Sequence, residues 1–171
     1  ETVLTCAGDE DIFIAKYKAD GSLLWARSAG GTSSEMLWGM TTLSDGSAII
    51  TGVFYEATVF AEGETNETSL TDTGTSGDIF IAKYETDGDL AWAKSAGGST
   101  FYDSGYGLSA LPDGSFFLTG VYNTAATFGD GETNETALTS AGGYDIFVAK
   151  YAANGSLDWV RSAGGTETYG E

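Results

Sequence analysis

Three aspartates keep one spacing: Asp11, Asp78 and Asp145 each open an Asp-Ile-Phe string, 67 residues apart. A carboxylate that follows a glycine-rich turn has two uses. It accepts backbone N–H groups, as an Asx-turn does, or it ligates a hard cation that wants several oxygen donors. Acids nearby serve the second use: Asp9-Glu10-Asp11, Asp87 with Asp89, and Asp130 with Glu132. The backbone role is the simpler reading. Calcium at Asp9, Asp11, Asp78 and Asp145 is the metal alternative, and no other cofactor is implied. The chain has neither the EF-hand loop spacing nor a glycine-rich calcium nonapeptide array.

The few cations are spaced in the same way. Lys16, Lys83 and Lys150 share one repeat position, Arg27, Lys94 and Arg161 another, and only Lys18 falls outside. In a chain of net charge −18, cations at fixed positions predict repeated ion pairs or hydrogen bonds to carbonyls between units. A ligand-binding ring of cations is the sharper alternative. Trp25, Trp92 and Trp159 share a position, as do Tyr17, Tyr84 and Tyr151. Repeated aromatics in a stacked unit are expected to pack between neighbours. Trp38 aligns with Tyr106 and reads as core in the same way. Asn66-Glu67-Thr68 and Asn134-Glu135-Thr136 are glycosylation sequons at one polar point of the repeat, so Asn66 and Asn134 are candidate glycan acceptors. Asn154-Gly155-Ser156 belongs to a turn.

Several chemistries are closed to these residues. There is no histidine, which excludes Ser-His-Asp, Cys-His and histidine-ligated metal sites within the chain. Carboxylate pairs can hydrolyse glycosides, but among 25 acids pairs arise by chance, and the expectation is no enzyme. Seven basic residues against 25 acids disfavour nucleic acid, which is bound through neutralised phosphates. They disfavour an anionic membrane surface equally. No apolar run approaches the ~20 residues of a membrane span, so no membrane insertion is expected. Cys6 aligns with Ser140 and has no second cysteine for a disulfide.

The elements that position these residues are strands. Residues 78–84 alternate around β-formers, 85–89 turn at Asp87-Gly88, and 90–95 run back. The turn is Asp20-Gly21 in the first copy and Asn154-Gly155 in the third, pairs that tolerate positive φ. A second hairpin joins residues 107–111 to 116–122 through Pro112-Asp113-Gly114-Ser115, and its earlier copy joins 39–43 to 48–54. The unit therefore holds four antiparallel strands. The remainder, with Ala57-Thr58-Val59-Phe60 and an unchanged Glu-Thr-Asn-Glu-Thr at 64–68 and 132–136, reads as an outer arm, a small third hairpin. No helical period occurs, and 25 glycines with one proline suit tight turns. The expectation is an all-β chain of β-propeller-type blades, four antiparallel strands in a 67-residue repeat, with an open β-repeat array as the alternative. The units divide as 1–31 (a partial blade, its last two strands), 32–98 and 99–165 (full repeats), and 166–171 (the start of a next repeat).

A resemblance supports this reading. Asp145-Ile146-Phe147-Val148-Ala149-Lys150-Tyr151 is followed by Asn154-Gly155-Ser156-Leu157, Trp159 and Ser162-Ala163-Gly164-Gly165. With Asp113-Gly114-Ser115, Leu118-Thr119-Gly120 and Leu138-Thr139-Ser140-Ala141-Gly142-Gly143, this order resembles the SBBP-type β-propeller repeats of bacteria and archaea. The resemblance covers essentially the whole chain. It implies a structural or interaction repeat of large exported or cell-surface proteins, with no catalytic residues to carry over. The departure is in number, since 171 residues hold too few units to close a ring of about four to eight blades. The expected partners are other repeats of the same parent, or copies of the chain itself in an oligomer or filament. The alternative is a carbohydrate-binding propeller, calcium-assisted, with glycans as partners.

Overall fold

The computed structural model describes residues 2–74 and 76–166. Twelve strands run in chain order: β1 Ile12–Tyr17, β2 Leu23–Gly31, β3 Glu35–Thr42, β4 Ala48–Phe54, β5 Ala57–Phe60, β6 Thr68–Thr71, β7 Asp78–Tyr84, β8 Leu90–Ala96, β9 Ser104–Ala110, β10 Phe116–Phe128, β11 Thr136–Tyr151 and β12 Leu157–Ala163. They form three antiparallel sheets of four strands, ordered β1-β2-β5-β6, β3-β4-β7-β8 and β9-β10-β11-β12. There is no helix among the described residues. The fold is all-β, as the repeat implied.

The hairpins turn where the sequence places Asp/Asn-Gly. Gly21, Gly46, Gly88, Gly114 and Gly155 all hold φ between 79° and 94°, a region that costs glycine no Cβ clash. The residue before each glycine fixes the turn from its side chain: Asp113 Oδ1, for instance, accepts the Ser115 N–H at 3.0 Å and its hydroxyl at 2.6 Å.

The arm is a hairpin, but it does not stay with its own sheet. β5 leaves the second sheet and pairs with β2 of the first, through Ala29↔Phe60, Gly30↔Val59 and Gly31↔Thr58. Glu56 (φ 58°) and Ala61 (φ 57°) stand in the left-handed region at its two ends. In the third sheet the corresponding strands are continuous, so β10 and β11 run on as one long hairpin past a bulge at Thr124 (φ 62°). Its extension touches the second sheet at Gly97↔Thr127. Repeat boundaries and sheet boundaries therefore differ: each complete repeat lends its arm to the sheet before it.

The core fills the two seams between sheets. One cluster, with Ile12, Ile14, Phe54, Phe60, Phe80, Tyr84 and Leu90, lies between the first and second sheets. The other, with Ile79, Ile81, Phe116, Tyr122, Phe128, Phe147 and Tyr151, lies between the second and third. Alternate residues of β7 thus enter different cores, because strand side chains point to opposite faces with period two. Gly52 and Gly120 carry no side chain because the Phe80 and Phe147 rings lie over them, 2.8 and 2.7 Å from where a Cβ would stand.

One repeat position separates two-sided packing from local propensity. Phe80 is fully buried, while its equivalent Phe13 is 68% exposed on the outer face of the first sheet. Phe80→Ala is expected to cost about 3–5 kcal/mol, and Phe13→Ala no more than about 0.5 kcal/mol. Urea unfolding midpoints of the two variants check this; equal shifts would contradict it.

Candidate functional site

The residues that recur most strictly converge on the seams. Four of the five residues of the Glu-Thr-Asn-Glu-Thr string have a task there. The first glutamate grips a cation of the preceding sheet: Glu64 pairs with Arg27 Nε at 3.2 Å, and Glu132 pairs with Lys94. The asparagine reaches back to its own repeat, since Asn66 Nδ2 donates to the Leu90 carbonyl at 2.9 Å and Asn134 Nδ2 to Leu157 at 3.1 Å. The second glutamate closes the loop, with Glu67 accepting from Gly63 N–H and Glu135 from Gly131 N–H. The threonine hydroxyls donate back to the asparagine carbonyls. The two candidate glycan acceptors are exposed, and their amide nitrogens already brace the leucine carbonyls.

The other repeated cations divide. Lys16 Nζ donates across the first seam to the carbonyls of Gly46 (3.1 Å) and Thr86 (3.0 Å). Lys83 and Lys150 instead pair within their own sheets, with Glu85 at 3.0 Å and Asp158 at 2.7 Å. Arg161 has no acidic partner among the described residues. The repeated tryptophans cross the seams: Trp25 Nε1 donates to the Thr86 carbonyl at 3.1 Å, with its ring against Gly88. Trp92 lies against Gly155 and stacks on Phe116, centroids 6.1 Å apart. Trp38 and Tyr106 correct the sequence reading. They are not core but 49% and 44% exposed, in edge contact at 6.3 Å. Both stand on edge strands, β3 and β9, where no further strand covers them.

The candidate calcium ligands are set apart. Asp11 precedes β1, Asp78 opens β7 and Asp145 lies within β11, in three different sheets, and Asp9 is exposed. Among the described residues, no three acidic side chains converge on a metal-sized site. Each of these three repeated aspartates accepts N–H groups from the residues before it: Asp11 from Ala7 and Gly8, Asp78 from Thr73, and Asp145 from Ala141.

The sequence reading missed Glu35 and Asp103. Both are buried at one repeat position shortly after a Gly-Gly pair, and that recurrence was the available signal. Glu35 accepts the Thr58 hydroxyl at 2.7 Å and Gly31 N–H at 3.1 Å, and its burial still pushes it above the usual carboxylate range. Asp103 is pushed up to about 7 by burial, with the nearby Asp78 charge acting in the same direction. Burial also raises Asp78.

With this geometry in view, comparison with known proteins adds a class. No family model matches the chain. It is 26% identical over 149 residues, 87% of its length, to the regulatory protein FlaEY of Caulobacter vibrioides. It is 25% identical over a 178-residue alignment, 94% of its length, to an uncharacterized WD repeat-containing protein of Acanthamoeba polyphaga mimivirus. It spans only 15% and 12% of those proteins. The four-stranded antiparallel sheets and the WD-repeat likeness together point to a repeat of the β-propeller type.

The Lys94–Glu132 clamp yields a measurable coupling. Burial raises the Glu132 carboxyl, but the Lys94 ammonium and Leu157 N–H outweigh it, and the net shift is downward. A depressed folded value contributes stability that is present above the ordinary 4.5 and lost as pH falls through the folded value. With Lys94 one-third exposed and screened by water, a double-mutant cycle of Lys94→Met and Glu132→Gln is expected to give about 0.5–1 kcal/mol at pH 7. The coupling should shrink as pH falls below the ordinary glutamate value and vanish once Glu132 is protonated in the folded chain.

Proposed function

We propose that this chain is a non-catalytic interaction module of an exported or cell-surface protein, and that its task is to stack against further units of its own repeat. One observation carries this: the two end sheets expose complementary halves of the internal seams. The first sheet leaves Phe13, Tyr17 and Leu23 open, whose equivalents Phe80, Tyr84 and Leu90 are buried. The third sheet leaves Ile146 (56% exposed) and Val148 open, whose equivalents Ile79 and Ile81 are buried. Each open face is thus the half of a seam that its neighbour fills inside the chain. Apolar faces of this kind mark contact surfaces, and stacked repeats gain most of their stability from such neighbours. The acidic surface suits an exported setting, where charge keeps such a protein soluble.

Replacing residues 166–171 by a second copy of residues 99–165 tests this. The longer chain is expected to melt several degrees higher, to unfold in one transition and to bind less of a hydrophobic dye. A separate transition for the added unit, with Ile146 still reactive to solvent probes, would overturn the reading.

Carbohydrate binding is a second reading, supported by Trp38 and Tyr106, whose exposed paired rings offer a stacking surface for a sugar face. A glycan array with the parent chain and with Trp38→Ala is expected to show specific binding lost in the variant. No binding by the parent removes the reading.

A further inference from the structure

The two seams are built from the same repeat positions, yet their buried acids are treated differently. At the first seam all four carboxylate oxygens have partners: Asp11 takes Ala7 and Gly8 N–H, and Glu35 takes Gly31 N–H and the Thr58 hydroxyl. At the second seam the equivalents are Asp78 and Asp103, 1% and 0% exposed. Asp78 Oδ2 accepts from Thr73 and Asp103 Oδ1 from Asn123 N–H. Asp78 Oδ1 and Asp103 Oδ2 are buried without a hydrogen-bond partner among the described residues. The hydroxyl of the first seam is missing because Ala126 stands where Thr58 does, as shown by the matching pairs Gly30↔Val59 and Gly97↔Thr127.

The two orphaned carboxylates are near one another. The Asp103 N–H donates to the carbonyl of Gly77, the residue before Asp78, at 3.1 Å, and the Asp78 charge acts on Asp103. Two buried like charges with open oxygens call for a positive partner, because a charge taken out of water without compensation is strongly destabilising. A cleft of about 360 Å³ opens beside Asp78, lined by Thr73, Gly97, Ser99 and Asp130 among others. It gives water and a small ion a route to Asp78. Gly97 lets the Asp78 carboxylate lie directly on the backbone, where a side chain would collide with it.

We propose that one calcium ion sits in the second seam, held by Asp78 Oδ1 and Asp103 Oδ2. The donor set is oxygen only and carries two carboxylate charges, which suits a hard cation. Calcium takes 6–8 oxygens, and the cleft leaves room for water to supply those beyond the two carboxylates. The ion neutralises the acid pair and ties the second sheet to the third. This site differs from the four-aspartate set expected from spacing, since it pairs Asp78 with a residue of the next sheet. It lies inside the chain and is independent of whatever docks on the end faces.

Thermal melts of the full chain at pH 7, in chelator and in millimolar calcium chloride, test the site. Calcium is expected to raise the midpoint by about 5 °C. Asp103→Asn should abolish most of that rise. Ala126→Thr, which restores the hydroxyl of the first seam without changing charge, should reduce it, and this variant decides the matter if Asp103→Asn does not fold. Equal parent midpoints in calcium and chelator would overturn the proposal. So would an undiminished response in both variants, which would assign the effect to the acidic surface. A rise obtained in chelator on acidification to pH 5, with nothing added by calcium, would assign the seam to a shared proton and likewise overturn it.

Discussion

A sheet that is apolar on both faces must be covered on both faces. β7 states this constraint most directly, sending Ile79 and Ile81 into one core and Phe80, Ala82 and Tyr84 into the other. Neither face can be left to water without exposing several large side chains, each worth about 1.5–3 kcal/mol of burial. Every other regular feature of the molecule serves that requirement. The glycines opposite Phe80 and Phe147 let those rings lie on the neighbouring strand of the same sheet, and the tryptophans lie on turn glycines of the next unit. The arm laces each repeat to the sheet before it.

The polar residues set register rather than supply the bulk of the stability. Arg27–Glu64 and Lys94–Glu132 are partly exposed pairs, and pairs of that kind contribute modestly. Their value is geometric. A cation on one sheet, a glutamate on the arm and an asparagine on the next carbonyl fix three elements with one five-residue string. That explains why the string recurs unchanged while the strands around it vary.

The buried acids act against this economy. Carboxylates at the seams gain nothing from the apolar core, and their cost falls only when N–H groups, hydroxyls or a cation answer them. The first seam answers all four oxygens from the protein. The second leaves two unanswered, and the one on Asp103 follows from a change as small as threonine to alanine. Repeats that are equivalent in fold can therefore differ in chemistry.

Much of this was legible in the residues. The Asp-Gly and Asn-Gly turns, the alternation of residues 78–84 and the 67-residue spacing determined the strands, their antiparallel pairing and the four-stranded unit, because turn chemistry and side-chain period are local properties. The spacing of the cations also foretold their use in ion pairs and carbonyl contacts, correctly for Arg27, Lys94 and Lys16. Other features needed the tertiary structure. The arm pairs with the preceding sheet, and nothing local in Ala57–Phe60 names its partner strand. Trp38 looked like the other tryptophans but lies on the edge strand β3 at the register shift between Leu37 and Gly39, and is exposed there. Glu35 and Asp103 became notable only when packing buried them and brought Asp103 beside Asp78. Sequence alone determined what each unit is, because its signals act within a few residues. Only the stacking of sheets decided which faces, edges and charges are left without a partner, because that depends on contacts between residues far apart in the chain.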